Sequence, residues 1–176
     1  MKKKPVISVI LCTARKDRLS IHVSKYITSV LKAEFPTYAV KHVDIADFLI
    51  GKTVAPWQKG GKKVEAWRKM ADKTHTFVLV TPEYNQSFPG ELKIALDCAM
   101  DEYKNKRVLV AGVSAGTFGG SRVINHLVQP LLRFGLKISK HALYFSKSEE
   151  FSLMKKKERD QEYRQRIIKT VKAVLR

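Results

Sequence analysis

The stretch Val6-Ile7-Ser8-Val9-Ile10-Leu11 decides the fold class of this 176-residue chain. Its apolar residues follow one another without regular alternation with polar ones, which is the pattern of a strand buried on both faces of a sheet. Downstream, the apolar residues of segment 23–31 recur at helical spacing, and Phe35-Pro36 ends that helix. A doubly buried strand followed by a helix is the repeating unit of a parallel α/β sheet.

The same alternation continues to the end of the chain. Further strands are predicted at residues 38–43, 76–80, 107–113 and 138–145. Further helices are predicted at residues 64–71, from Pro89-Gly90 through Met100, at 124–132 and at 167–175. Five such units predict a single α/β domain over residues 1–176: a flavodoxin-like three-layer sandwich whose five-stranded parallel sheet has the order 2-1-3-4-5, with helices on both faces. Segment 44–61 is irregular and longer than packing requires, so we expect it to be functional.

Composition excludes several classes of protein. Lys and Arg number 34 against 16 Asp and Glu, a formal charge of +18, while 44% of the residues are apolar and lie in periodic runs, which excludes a disordered chain. No apolar stretch approaches the ~20 residues that span a bilayer, so no membrane partner is predicted. Two cysteines, Cys12 and Cys98, are too few for a disulfide framework, and we expect a cytoplasmic protein. The lysines are spread out without a nucleic-acid-binding module, so no specific nucleic acid partner is predicted.

Three loops with unusual residues follow predicted strands: 12–23 after the first, 81–90 after the third and 114–122 after the fourth. In the order 2-1-3-4-5 these strands are neighbours, so the loops should meet at the carboxyl edge of the sheet, where ligands of such folds bind. The glycine fingerprint of dinucleotide-binding Rossmann domains is absent after the first strand. A site formed by the three loops, without that fingerprint, is therefore predicted.

The first loop has the composition of a phosphate site. Thr13, Arg15, Arg18 and Ser20 stand just before a helix, and hydroxyls, guanidiniums and free N–H groups at a helix start suit a phosphate dianion. The same residues also fit a capped helix start with solvated arginines. Taken alone, this loop leaves the two interpretations open.

The second loop and the helix after it carry the longest motif. Residues 82–97, Pro-Glu-Tyr-Asn-Gln-Ser-Phe-Pro-Gly-Glu-Leu-Lys-Ile-Ala-Leu-Asp, resemble the signature of the NADPH-dependent FMN reductases, which are flavodoxin-like flavoproteins; Ile94 stands where that family usually has Asn. Residues 114–122 resemble the family's Ser-x-Gly-x-x-Gly-Gly-x-Arg segment. Residues 12–18 resemble its phosphate loop, in which Cys12 replaces the usual Gly. The resemblance extends from about residue 6 to residue 134.

This resemblance implies bound FMN, with NADPH or NADH as co-substrate and a small-molecule electron acceptor such as a quinone, an azo compound, free flavin or a metal ion. The residues that would hold the FMN phosphate are Thr13, Arg15, Arg18, Ser20, Ile21, His22 and Val23. Those that would line the isoalloxazine ring are Pro82, Glu83, Tyr84, Asn85 and Ser87, while Ser114, Ala115, Gly116 and Gly119 would let the backbone approach the ring and the ribityl chain. Because the flavin supplies the chemistry, no catalytic side chain is assigned. The resemblance also implies a homodimer or a homotetramer.

Two other functions are compatible with parts of the sequence. Cys12 and Arg18 have the spacing of the nucleophile loop of the low-molecular-weight tyrosine phosphatases, in which a thiolate attacks phosphorus, although Leu19 stands where Ser or Thr is expected. A non-enzymatic flavin electron carrier is the second alternative, but such carriers usually have an acidic surface. The histidines lack metal-ligand spacing, so no metal site is predicted. We assign Trp67 to packing, and expect Trp57 to border the flavin or a subunit contact.

Overall fold

The computed structural model describes residues 3–176, in which β1 (Val6–Leu11) lies inside a parallel sheet. β2 (Ala39–Asp44) pairs with one side of β1, and β3 (Thr76–Pro82) pairs with the other. β4 (Arg107–Val113) then pairs with β3. The strand order is β2-β1-β3-β4-β5, so the predicted flavodoxin-like order is confirmed. Met1 and Lys2 lie outside the described residues.

The edge strand of the sheet departs from the prediction. Instead of one strand over residues 138–145, two short strands, β5 (Lys137–Ile138) and β6 (Leu143–Phe145), both pair with β4. Val108 is opposite Ile138 and Ala111 is opposite Leu143, so four edge residues lie beside only two residues of β4. An edge strand has a single neighbour, and therefore a bulge there disrupts only one ladder. The prediction of a continuous fifth strand is wrong.

Helices cover both faces of the sheet. They are α1 (Ser20–Glu34), α2 (Lys62–Lys73), α3 (Gly90–Asp97), α4 (Ser121–Arg133), α5 (Ser148–Leu153), α6 (Lys156–Arg159) and α7 (Gln165–Leu175), with a 3-10 turn at Ile45–Phe48 and a π-helical turn at Asp160–Arg164. The helix predicted from Pro89-Gly90 extended through Met100, but α3 ends at Asp97. The chain tightens there, because the Ala99 N–H donates to Leu96 O, three residues back, at 3.3 Å.

Alternate residues of each buried strand point into two separate cores. Val78 and Val80 of β3 pack with α1 and α7 on one face, while Phe77 and Leu79 pack with α2, α3 and α4 on the other. Each fully buried side chain of this size stabilises the fold by about 1.5–3 kcal/mol. Trp67 is fully buried in the second core, where its indole N–H donates to Tyr103 OH at 2.6 Å, so its assignment to packing is confirmed.

No helix within residues 3–176 combines the length and the apolar composition needed to cross a membrane.

Candidate active site

Loops from four strand ends form a cleft at the carboxyl edge of the sheet. Its volume is about 190 Å³. The loop after β6 was not among the three loops predicted to form the site. The lining residues are Arg15, Arg18, Leu19, Ser20, Pro82, Glu83, Tyr84, Val113, Ser114, Ala115, Ser148 and Glu149.

The start of α1 presents donors to this cleft. Leu19 occupies the N-cap position, so no side chain caps the helix, and its first turn contains no acidic residue. Within residues 3–176, the buried side-chain polar atoms that lack a hydrogen-bond partner are Arg18 Nε and Ser20 Oγ. Both atoms can donate a hydrogen bond, and a helix N-terminus attracts negative charge. The arrangement suits an anion, and the alternative of a side-chain-capped helix start does not hold.

Arg18 is held in place by the end of β2. Its Nη2 donates to Asp44 Oδ2, and its Nη1 donates to the Arg15 carbonyl oxygen at 3.3 Å. Asp44 in turn accepts a hydrogen bond from the Ala46 N–H at 3.0 Å. These bonds engage both Nη atoms, while Nε is buried without a hydrogen-bond partner. Sequence reasoning missed Asp44, although its position at the end of a strand next to β1 was a usable signal.

Tyr84 connects the first and second loops. Its ring lies 5.1 Å from the Arg15 guanidinium, a distance typical of a cation–π contact, and its hydroxyl lies 3.2 Å from Thr13 Oγ1. The Arg15 side chain is exposed and borders the cleft. The contact with Tyr84 therefore gives an exposed arginine a defined position beside the site.

Residues 84–87 form a tight turn at the edge of the cleft. The N–H groups of Tyr84 and Ser87 each donate to the other residue's carbonyl at 2.9 Å. Asn85 and Gln86 between them have φ of 48° and 66°, the left-handed conformation that this hairpin turn requires. The turn leaves Asn85 exposed, while the hydroxyl of Ser87 contacts His126 Nδ1 at 3.3 Å.

Glu83 joins the second loop to the third. One carboxylate oxygen accepts from the Arg122 N–H at 3.2 Å, in the first turn of α4, and the other lies 3.5 Å from the Arg122 guanidinium. The Glu83 N–H donates to Val113 O at 2.8 Å. The side chain of Glu83 therefore caps α4 as well as lining the cleft.

The third loop folds back tightly over β4. Ser114 Oγ accepts from the Gly120 N–H at 3.2 Å and donates to Gly116 O at 3.1 Å. A Cβ at Gly119, where φ is 58°, would lie 2.8 Å from the Cβ of Tyr144, whereas a Cβ at Gly116 would meet no atom within 4 Å. Glycine at 119 is thus required by the turn itself, and Gly116 is the position in this loop that is open to a ligand.

Comparison with known proteins identifies the family of this chain. The sequence model of the NADPH-dependent FMN reductases matches residues 5–150. The chain belongs to the NADPH-dependent FMN reductase family. It is 28% identical over 134 residues to an NAD(P)H-dependent FMN reductase of Schizosaccharomyces pombe, covering 72% of this chain and just under two thirds (66%) of that protein. It is 30% identical over 137 residues to a quinone reductase of Escherichia coli K12, covering 75% of this chain and 72% of that protein.

A solved structure shows the same fold over nearly the whole chain. The flavoenzyme NAD(P)H:(acceptor) oxidoreductase FerB of Paracoccus denitrificans superposes with a TM-score of 0.75, at 19% identity, and 97% of each chain is covered. At this identity the likeness concerns the fold alone. The role of each residue in this family member therefore follows from the contacts of that residue.

Several residues predicted to bind the cofactor lie outside the cleft. Thr13 and Val23 are fully buried, the latter in the core under α1. Ile21 and His22 border a neighbouring surface depression, which shares Arg18 and Leu19 with the cleft. The side chains of these four residues are not directed into the cleft, although the backbone of α1 at Ile21 and His22 belongs to the helix start described above.

The loop after β6 contributes two cleft residues that sequence reasoning missed. Ser148 is buried and its N–H donates to Ser114 O at 3.1 Å, while Glu149 is exposed. The cleft is lined by two arginines, Arg15 and Arg18, and by two glutamates, Glu83 and Glu149, so their formal charges cancel. The net charge of +18 of the chain therefore lies outside the cleft. The signal for this loop was available, since the fifth strand also ends at the carboxyl edge.

The geometry around Cys12 contradicts the phosphatase alternative. Cys12 is fully buried in the core that faces α2, α3 and α4, and its thiol donates to Ile10 O at 3.3 Å. Burial raises the pKa of this thiol far above its ordinary value, so the thiolate nucleophile is not available at neutral pH. The hypothesis of a Cys12 and Arg18 phosphatase is wrong.

Among residues 3–176, no group of three or more His, Cys, Asp or Glu side chains is arranged to hold a metal ion. The chain's donors fit FMN at its phosphate end, because Arg18 Nε and Ser20 Oγ are buried donors without protein partners beside an uncapped helix start.

Proposed function

We propose that this protein is an FMN-dependent NAD(P)H oxidoreductase that passes electrons to a small organic acceptor. One observation carries the proposal. Arg18 Nε and Ser20 Oγ, both buried and unpartnered, lie at the start of a helix in the cleft where the three motif loops meet. A phosphate monoester supplies acceptors for both donors, and the family to which the chain belongs uses a flavin that carries one.

The division of the cleft follows from its chemistry. The start of α1, with Arg15, Arg18 and Ser20, would hold the phosphate of FMN, and the turn at Tyr84–Ser87 would face its isoalloxazine ring. The exposed backbone at Ala115 and Gly116 allows close approach of the ring and ribityl chain. When bound, FMN would supply the two-electron transfer between nicotinamide and acceptor. The protein would bind the flavin, orient it towards the substrates and shield it from water. We assign no acid–base side chain, and Glu83 is already engaged by α4.

The acceptor class is inferred from relatives. The Escherichia coli relative is named a quinone reductase, and the Schizosaccharomyces pombe relative is named for NAD(P)H-dependent FMN reduction. We propose a quinone as the first acceptor to test, followed by free FMN and azo compounds. The family assignment also favours a reductase over a non-enzymatic electron carrier.

Mixing the flavin-free protein with FMN is expected to give a protein-bound flavin spectrum and quenched flavin fluorescence after gel filtration. The loaded protein is then expected to oxidise NADPH or NADH faster when a quinone is added, because the acceptor reoxidises the flavin. The check is stopped-flow and steady-state absorbance of the nicotinamide. A protein that elutes free of flavin after mixing with excess FMN would contradict the proposal. Lys93→Ala, on the outer face of α3, is the matched variant that should behave like the wild type.

We also propose that the protein acts as a homodimer or homotetramer in the cytoplasm. Trp57 and Phe118 are 83% and 68% exposed and follow the ends of β2 and β4, on the side of the sheet that carries the cleft. A contiguous exposed apolar patch marks a protein contact, and we propose that Trp57 and Phe118 belong to one. Sedimentation should give the mass of two or four chains, and Trp57→Ser should lower that mass. A monomer at micromolar concentration would contradict the proposed oligomer.

The proposed location in the cytoplasm rests on the cysteines. The two free cysteines fit a reducing compartment, which cell fractionation would check.

A further inference from the structure

Glu91 reaches away from its own helix into the loop that follows β1. It stands in the first turn of α3, and its Oε1 accepts two hydrogen bonds, from the Ala14 N–H at 2.8 Å and from the Thr13 hydroxyl at 2.9 Å. The side chain is only half-buried, so it could have turned to solvent. Instead, one carboxylate oxygen binds two consecutive residues of the first loop (residues 12–18, here the phosphate loop). Through it they are joined to α3, which directly follows the second loop (residues 82–87, here the flavin-ring loop).

Thr13 extends this contact in two directions. Its hydroxyl accepts from the Arg15 N–H at 3.2 Å while donating to Glu91, and it lies 3.2 Å from Tyr84 OH. Because Thr13 is fully buried, these partners occupy its hydroxyl completely. The side chain therefore shapes the loop and does not itself reach the phosphate.

Apart from the hydrogen bonds of Arg18 to Asp44 and to the Arg15 carbonyl, the loop between Thr13 and α1 has few other supports. Residues 12–15 belong to no helix or strand, and 16–17 form a turn in which Asp17 has φ of 55°. The donors that would meet the phosphate, on Arg15, Arg18 and Ser20, come shortly after the residues that Glu91 holds. A displacement at Ala14 would therefore move Arg15 away from its contact with Tyr84.

We infer that Glu91 is a positioning residue, whose carboxylate oxygen fixes the phosphate loop against the flavin-ring loop so that FMN is bound through its phosphate. The inference rests on the proposed function, since it concerns the phosphate of FMN. The position of a single acceptor atom carries this role, because Glu91 Oε1 accepts both hydrogen bonds. The negative charge itself is unfavourable near a phosphate dianion.

Riboflavin separates the two ends of the cofactor, because it has the same ring and ribityl chain as FMN but no phosphate. A residue that positions the phosphate loop should affect FMN binding and leave riboflavin binding unchanged. A residue that merely maintains the fold should weaken both. The ratio of the two dissociation constants therefore reports the positioning role.

The test is fluorescence titration of flavin-free wild type, Glu91→Ala, Glu91→Gln and Lys93→Ala with FMN and with riboflavin. Glu91→Ala should weaken FMN binding about tenfold, since it removes both hydrogen bonds, without changing riboflavin binding. Glu91→Gln should stay within about threefold of wild type for FMN, because the amide oxygen can accept the same two bonds. Lys93→Ala, on the exposed side of the same helix, should match wild type for both ligands.

The possible failures are distinct. Unchanged FMN binding by Glu91→Ala, or equal weakening of FMN and riboflavin, overturns the positioning role. A Glu91→Gln variant as weak as Glu91→Ala overturns the importance of acceptor geometry and with it the inference. If the wild type binds neither flavin, the proposed function fails first and the positioning role falls with it.

Thr13→Val supplies a second measurement that does not alter Glu91. Valine keeps the shape of threonine but removes the hydroxyl between Glu91 and the Arg15 N–H. It should weaken FMN binding several-fold and riboflavin binding not at all, and the double variant with Glu91→Ala should be less than additive because both residues act through one contact. Fully additive losses would contradict a shared role.

Discussion

Replacing Arg18 with methionine is expected to weaken FMN binding by about 10- to 100-fold and to leave riboflavin binding nearly unchanged. The buried Nε of Arg18 has no protein partner, while its other nitrogens are held by Asp44 and the Arg15 carbonyl. A hydrogen bond to a charged group contributes about 1.5–3 kcal/mol, which corresponds to this range of affinity. The measurement is fluorescence titration of the flavin-free protein with each ligand.

Two variants control for the loss of charge. Arg18→Lys keeps a cation beside Asp44 but lacks the guanidinium fork, so it should bind FMN with intermediate affinity. Arg133→Met removes one positive charge from the exposed end of α4 and should bind FMN like the wild type. If Arg18→Met lost FMN and riboflavin affinity to the same degree, Arg18 would be supporting the loop and not meeting the phosphate.

Replacing Gly112 with alanine is expected to lower the free energy of unfolding by about 3 kcal/mol, at the upper end of the usual cost of overpacking. Gly112 lies in β4, directly under the third loop. An added Cβ would lie 2.6 Å from Gly120 O and 2.8 Å from Gly119 O, and backbone atoms cannot move aside as a side chain would. Urea unfolding followed by circular dichroism measures the change.

Gly116→Ala is the matched control in the same segment. A Cβ there meets no atom within 4 Å and φ is not positive, so the free energy of unfolding should stay within about 0.5 kcal/mol of wild type. Equal stability of Gly112→Ala and Gly116→Ala would show that the third loop does not pack on β4 as described.

The sheet could be predicted because its signals are local. β4 has the bounds 107–113 in both the prediction and the structure, since a continuous apolar run can be buried only between two layers. The three loops could be predicted to meet for a similar reason, because the strand order places β1, β3 and β4 side by side. The interrupted edge strand could not, since pairing at an edge depends on a single neighbour.

Individual roles within the site were less predictable than its location. Cys12 had the spacing of a nucleophile, but it points into a core and its thiol stays protonated. Thr13 was assigned to the phosphate, but its hydroxyl is occupied by Glu91. Asp44 and Glu149 were not considered, although each lies near the end of a strand at the carboxyl edge.

The sequence by itself determined the parallel sheet, its strand order and the edge at which the site lies, because alternation and apolar runs are properties of short segments. Only the tertiary structure decided which side chains face the cleft and which are already engaged. Arg18 pairs with Asp44 through Nη2 because β2 ends beside it, while its Nε has no partner. Glu91 binds the Ala14 N–H because α3 begins next to the loop that contains Ala14. Such contacts join residues 26 and 77 positions apart in the chain, and the direction of a side chain over that separation is set by packing and not by local pattern.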